Sequence, residues 1–155
     1  MAPRTWSFRA PIAADPAAVY GWLSVFRPDD HDNPAFIAGT GQPRNDKRPA
    51  TRVIDIVSPT QVTLVDHWNG RSFESTVTLE PEHHRLQIDG AYGYSATWAA
   101  APASGGCLLT VTGRLAPKGL IALLVPLFTR NLATEMQADF NGHVADLKHS
   151  LGLPP

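Results

Sequence analysis

Polar and apolar residues alternate over much of the middle of this chain. Between residues 51 and 116 lie five or six runs with the two-residue period of β-strands: TRVIDIV, QVTLVDHW, RSFESTVTLE, RLQIDGA, YSATWA and CLLTVTGRLA. Turn residues separate these runs, and an earlier run, WSFRAPI at 6–12, alternates in the same way. The pattern predicts one strand followed, after an interval, by an antiparallel meander.

Two other stretches have helical features. In ADPAAVYGWL, 14–23, Asp15 is a suitable N-cap and Pro16 suits the first helical position. After residue 120, Pro126 is expected to separate a short helix at 119–125 from a long helix that ends at Gly152. Apolar residues in this region recur every three or four positions, as a buried helix face requires: Leu124, Phe128, Leu132, Met136, Phe140, Val144, Leu147 and Leu151.

A sheet and a long amphipathic helix must bury their apolar faces against each other, so the predicted fold class is α+β. The segment 27–50 is rich in Pro, Gly, Asp and Asn and is predicted to be a long loop. Loops of this length in compact domains tend to be functional, and a lid is one such role. Together with LIALLVPLF, 120–128, it is expected to form an apolar gate.

The dipeptide Asn69-Gly70 fixes the register of one hairpin, because a two-residue turn of this composition is a strong hairpin signal. Directly opposed residues then share a face. Adjacent residues point to opposite faces, so Asp66 and His67 are not expected to act as a catalytic pair. The predicted inner face carries Val62, Leu64, Asp66, Trp68, Arg71, Phe73, Ser75, Val77 and Leu79.

Asp66 and Arg71 on an apolar face allow two interpretations, because a charge facing a core is costly unless it is paired. They form a salt bridge near solvent at the sheet edge, with Arg71 over Trp68, or they line a cavity mouth and orient a polar ligand group. The first interpretation is the favoured one.

Later strands and the long helix add further candidates. Tyr92, Tyr94 and Trp98 have the parity of one strand face and are suited to core packing or to binding a ligand. On the helix, Asn131 and His143 lie beside the apolar stripe and could reach a cavity, although the expected place of the His143 tip is in water. On the last strand, Cys107, Leu109, Val111, Gly113 and Leu115 are predicted to face inward.

Other kinds of site lack support. The segment DDHD, 29–32, and the pair His83-His84 do not have zinc-site spacing, so no metal is predicted. No nucleophile elbow, phosphate loop or dinucleotide fingerprint is present, so no cofactor is predicted either.

Composition limits the partners. The 155 residues are 43% hydrophobic with a formal charge of −1, which predicts one domain over 1–155 and no nucleic-acid partner. The lone Cys107 and the absence of a signal-like apolar run near Met1 predict a cytoplasmic location. LIALLVPLF is too short to span a membrane. An exposed edge strand could support a homodimer.

Two blocks resemble a known family: FRAPIAADPAAVYGWL, 8–23, and FTRNLATEMQADFNGHVADLKHSLG, 128–152. Together with the order of elements, they resemble the START/SRPBCC superfamily, in particular its polyketide cyclase/dehydrase and lipid transport branch. The resemblance implies a helix-grip fold, in which a curved antiparallel sheet wraps around a long C-terminal helix, with a short helix or helix pair after strand 1. It also implies a deep cavity for an apolar or aromatic molecule, with catalysis in some members only.

The function that the sequence favours is binding, or transfer, of a small hydrophobic or aromatic molecule such as a lipid, isoprenoid or polyketide. The alternatives are an enzyme of the cyclase, aromatase or dehydratase kind, with Asp66 and Arg71 as catalytic candidates, and a protein-interaction module. The predicted ligand-binding residues are Leu64, Asp66, Trp68, Arg71, Phe73, Tyr92, Tyr94, Trp98, Phe128, Asn131 and Met136.

Overall fold

The computed structural model describes residues 3–26, 51–68, 70–120, 122–123 and 130–155, without the side chains of Thr51, Arg52 and Trp68. The expected loop at 27–50, with its DDHD segment, lies outside the described residues, as do Leu124, Pro126 and Phe128. The predicted gate therefore stays a prediction. Of its apolar segment, Leu120 and Leu123 are described and are exposed.

Seven antiparallel strands form one sheet, in the order β1-β7-β6-β5-β4-β3-β2. The first strand thus pairs with the last and leaves β1 and β2 as the two edges. Helix α1, Pro16–Ser24, follows β1, and helix α2, Leu132–Ser150, closes the chain. The predicted α+β class is confirmed. The strands are β1 Arg4–Ile12, β2 Thr51–Ser58, β3 Gln61–Trp68, β4 Arg71–Glu80, β5 Arg85–Asp89, β6 Tyr94–Ala103 and β7 Gly106–Leu115.

Helix α1 begins where the sequence predicts it. The Asp15 carboxylate accepts a hydrogen bond from the Ala17 backbone N–H at 2.8 Å, and Pro16 occupies the first turn. The helix buries Val19, Tyr20 and Leu23 and packs against β6 and β7. A short helix with a good cap is thereby held against the sheet by three buried side chains.

The register of the β3–β4 hairpin is the predicted one. Trp68 pairs with Arg71 and Asp66 pairs with Phe73, and Gly70 has a φ of 72°, as the turn requires. The side chain of His67 points outward, where its Nδ1 lies 2.8 Å from Ser72 Oγ. Asp66 is buried on the other face, so these two neighbours do not form a pair.

The inner face of the sheet forms most of the hydrophobic core. The odd-numbered residues of β7 that were expected inside are buried or half-buried, and Arg114 is exposed. Gly113 leaves room for the Trp6 indole of the paired strand, which a side chain at this position would meet. Buried apolar residues of this face include Ile54, Val62, Leu64, Val77, Leu86, Ile88, Ala96, Trp98, Leu109 and Val111.

Helix α2 buries a face that differs from the predicted stripe. Met136, Phe140 and Leu147 are buried as expected, but Val144 is only half-buried. Asp139 and His143 are buried instead, and the expectation that the His143 tip lies in water was wrong. The helix is rotated so that 136, 139, 140, 143 and 147, spaced by three and four, point at the sheet.

Candidate ligand-binding site

Polar side chains from the sheet and from α2 are buried where these two surfaces face each other. Asp66, Ser75 and Tyr94 come from β3, β4 and β6, and Asp139 and His143 come from consecutive turns of α2. All five are less than one-tenth exposed, and His143 is 1% exposed. Buried polar groups need hydrogen-bond partners, so their gathering on facing surfaces marks a candidate site.

Tyr94 lies at the start of β6, with its ring 6.0 Å from that of Trp6. Burial raises the pKa of its phenol, and the nearby Asp139 carboxylate raises this pKa further. The phenol is therefore neutral at physiological pH and keeps its O–H as a donor. Ser75 is close by, since a side-chain carbon on Gly90 would lie 3.3 Å from both Ser75 Oγ and Tyr94 Cδ1.

Trp98 lies at the centre of an aromatic cluster beneath α2. Its ring is 5.8 Å from that of Phe140 and 6.0 Å from the His143 imidazole, which meets it edge-on at 80°. Phe140 in turn lies 5.9 Å from Phe8 of β1. The buried Trp98 Nε1–H finds no hydrogen-bond acceptor among the described residues. A buried indole N–H usually has a partner, so this donor is available to a ligand acceptor.

Five of the predicted ligand-binding residues line this interior: Leu64, Asp66, Tyr94, Trp98 and Met136 are buried on the inner faces. Arg71 and Asn131 are exposed, so Arg71 and the buried Asp66 occupy different environments. Two further positions, Phe128 and the Trp68 side chain, lie outside the described residues.

Tyr92 does not share the strand face of Tyr94 and Trp98 as predicted. It precedes β6 in the tight turn Ala91–Gly93, has a left-handed φ of 58° and is 47% exposed. The alternation of a strand does not apply there. Its ring nevertheless meets the half-buried Phe73 edge-on at 5.9 Å, beside the inner face of β4.

Asp139 is the residue that sequence reasoning missed. It follows Met136 by three positions and precedes His143 by four, so all three share one face of a helix. That spacing was the available signal. Ser75 was placed on the correct face, although it was not selected as a candidate.

No protein-family model matches the chain, and no curated protein matches it either. Solved structures do match. The di-domain aromatase/cyclase StfQ of the steffimycin biosynthetic pathway superposes with a TM-score of 0.63 at 13% identity, over 97% of this chain and 52% of that one. The chain thus spans about half of that di-domain protein.

A START superfamily protein from Mycobacterium smegmatis matches with a TM-score of 0.52 at 14% identity, over 94% of this chain and 98% of that one. The chain has the START-type helix-grip fold. Norcoclaurine synthase from Thalictrum flavum, in complex with dopamine and hydroxybenzaldehyde, matches at 0.57 and 14%, over 94% and 88% of the two chains. At these identities the likeness establishes the fold alone.

In the described ranges, no three His, Cys, Asp or Glu side chains gather in a way that would hold a metal ion. Neither helix of the described chain is both long enough and apolar enough to cross a bilayer.

Proposed function

We propose that this protein binds a small, largely apolar or aromatic molecule between the sheet and α2 and holds its polar group in the interior. The observation that carries this proposal is the buried Trp98 N–H, which has no acceptor among the described residues and lies beside His143. A ligand oxygen would supply the missing acceptor for this N–H. The structural match to an enzyme seen with two small aromatic molecules supports an aromatic ligand.

The polar groups of the site suggest which ligands suit it. The Trp98 N–H and the neutral Tyr94 phenol are donors, and the Asp139 carboxylate is an acceptor. A molecule that carries a carbonyl group would accept from the Trp98 N–H, which a plain hydrocarbon chain cannot do. Among lipids, isoprenoids and polyketides, the site therefore favours an oxygenated aromatic or polyketide-like compound.

Two ligands of similar shape test this proposal: 2-acetylnaphthalene, which has a carbonyl, and 2-ethylnaphthalene, which lacks it. We expect calorimetry to show tighter binding of the ketone. Trp98→Phe keeps an aromatic ring but removes the N–H. It should weaken ketone binding by about three- to ten-fold and leave the affinity for 2-ethylnaphthalene unchanged.

Trp22→Phe is the matched control, because Trp22 is half-buried on α1 rather than under α2. It should change neither affinity. Equal affinity of the ketone for the wild type and for Trp98→Phe would contradict the assigned role of the indole. If neither naphthalene bound, the proposal of an aromatic ligand would fail.

A second candidate function is acid–base catalysis, of the kind that aromatase/cyclases require. The observation that favours it is the placement of Asp139 and His143 one helical turn apart, with Tyr94 near Asp139. Asp139 or His143 would accept a proton from the carbon beside a ketone, and the Tyr94 O–H would donate a hydrogen bond to the enolate oxygen. Asp66 is buried on the same side, while the exposed Arg71 is less suited to such a role.

Proton exchange distinguishes catalysis from binding. An enzyme of this kind would speed the replacement of the methyl protons of 2-acetylnaphthalene by deuterium in heavy water, as followed by NMR. Asp139→Asn should then abolish the acceleration while the ketone still binds. If the ketone bound but its protons exchanged no faster than in buffer, the catalytic function would be rejected and only the binding function would be kept.

A further inference from the structure

A concave surface lies beside Phe140, between α2, the edge strand β1 and the residues Leu153 and Pro155. It encloses about 540 Å³, a volume typical of small-molecule sites. Phe140 lines this groove and also contacts Trp98 and Phe8, so its ring lies between the groove and the interior site. The groove is thus distinct from the site proposed above.

One wall of the groove is a continuous strip of α2. Its lining residues fall into two rows with a spacing of four, which is one face of a helix. At about 1.5 Å per residue, the strip from 140 to 149 is about 14 Å long. The rows are Phe140, Val144 and Lys148, and Asn141, Ala145 and His149.

The groove is apolar at one end of this strip and basic at the other. Phe140 and Val144 are apolar, whereas Lys148 and His149 lie in the last turn of the helix. Arg9 of β1 adds a third basic side chain, and among the described residues no Asp or Glu lines the groove. Since the formal charge of the whole chain is −1, this basic cluster is a local feature.

The carbonyls at the end of the helix are partly capped. A helix C-terminus disfavours an anion, but two of its last carbonyls already accept hydrogen bonds, since Gly152 N–H donates to the His149 carbonyl and Leu153 N–H to that of Lys148. The Asn141 amide oxygen accepts from Gln137 Nε2 at 3.0 Å. Asn141 can therefore offer a ligand its amide N–H donors.

The strand wall argues against a peptide as the occupant. A peptide that adds to a sheet needs a run of edge-strand backbone. Only Arg9 and Ala10 of β1 line the groove, and the neighbouring Pro11 has no N–H. The dimensions and the polarity fit a short chain with a charged head.

We infer that this groove is a second binding site, which takes an amphipathic anion with its carboxylate among Arg9, Lys148 and His149 and its apolar tail along Val144 and Phe140. This second site is independent of the molecule that occupies the interior.

The test uses decanoate and its uncharged analogue decanamide as probes on the full chain. In NMR titrations, decanoate should shift the backbone amide signals of Asn141, Ala145 and Leu153. Arg9→Gln and Lys148→Gln should each lower decanoate affinity about three-fold, and added salt should lower it further. None of these three changes should affect the affinity for decanamide.

Two more variants sharpen the result. Ala145 lines the groove and is exposed, so Ala145→Trp should block the site while the fold is kept. Arg114→Gln, on the outer face of β7, removes an exposed charge elsewhere and should leave decanoate affinity unchanged. Three results would overturn the inference: signal shifts confined to interior residues such as Leu64 and Ala96, equal affinity for the two probes, or a dimer in sedimentation that Ala145→Trp dissociates.

Discussion

Burying polar side chains costs folding free energy, and in this domain several of them lie where the sheet and α2 face each other. Placing an ionisable group such as Asp139 in an apolar interior costs several kcal/mol unless it is paired or hydrogen-bonded. Their position between the sheet and α2 agrees with the ligand site that we propose there.

Burial in the same interior should also lower the reactivity of Cys107. The thiol is 2% exposed, and burial raises its pKa, as does the nearby Asp15 carboxylate. Because the thiolate is the nucleophile, we expect Cys107 to react with Ellman's reagent far more slowly than a free thiol at neutral pH. Denatured protein, with its single cysteine, should react at once and completely. Rapid modification of the native protein would show that β7 is accessible in solution.

At the scale of elements, the start of helix α1 is set by a local contact rather than by packing against the rest of the domain. The start of α1 depends on one side chain, since the Asp15 carboxylate satisfies an N–H that the helix itself leaves unpaired. Asp15→Ala should lower the free energy of unfolding by about 1 kcal/mol, as measured by urea denaturation. Asp15→Asn is the matched control, because Asn also caps helices, and it should cost much less. An equal loss in both variants would assign the effect to charge rather than to capping.

The predictions that held are those fixed by local rules. The β3–β4 register followed from the two-residue turn and the two-residue period, and the inner face of β7 followed from alternation alone. Tyr92 was misplaced because a left-handed residue interrupts the alternation just before β6. The rotation of α2 could not be predicted, because spacings of three and four are compatible with either Val144 or His143 facing the sheet, and packing against β1 and β6 decides between them.

At the scale of the whole molecule, β1 and β2 form the edges of the sheet among the described residues, and these two edges have different surroundings. The β1 edge borders the basic groove beside α2, whereas on β2 at the other edge Val53 and Val57 are each more than half exposed. Exposed apolar edge strands favour association with another chain. The expected homodimer stays a prediction, and β2 is the edge that suits it.

The free energy of unfolding at alkaline pH should depend on Tyr94 in the interior of the domain. The pKa of Tyr94 is raised above its ordinary value of 10.0 by burial and by Asp139, so the folded protein holds this proton more tightly than the unfolded chain does. The contribution of Tyr94 to stability is fully present below a pH of 10.0, the ordinary pKa of the phenol, and is lost as the pH rises toward the higher pKa of the folded state. Within that window, wild-type stability should fall by up to about 1.4 kcal/mol per pH unit because of Tyr94.

Tyr94→Phe removes the phenol, so its stability should fall less steeply than that of the wild type in urea titrations between about pH 9 and 11. The slopes are compared rather than the absolute values, because the variant also loses any hydrogen bond of the hydroxyl. Trp98→Phe changes another buried ring of β6 without a titrating group and should keep the wild-type slope. Identical slopes for Tyr94→Phe and the wild type would mean that water reaches Tyr94 in solution, and the phenol would then be a poor anchor for a ligand oxygen.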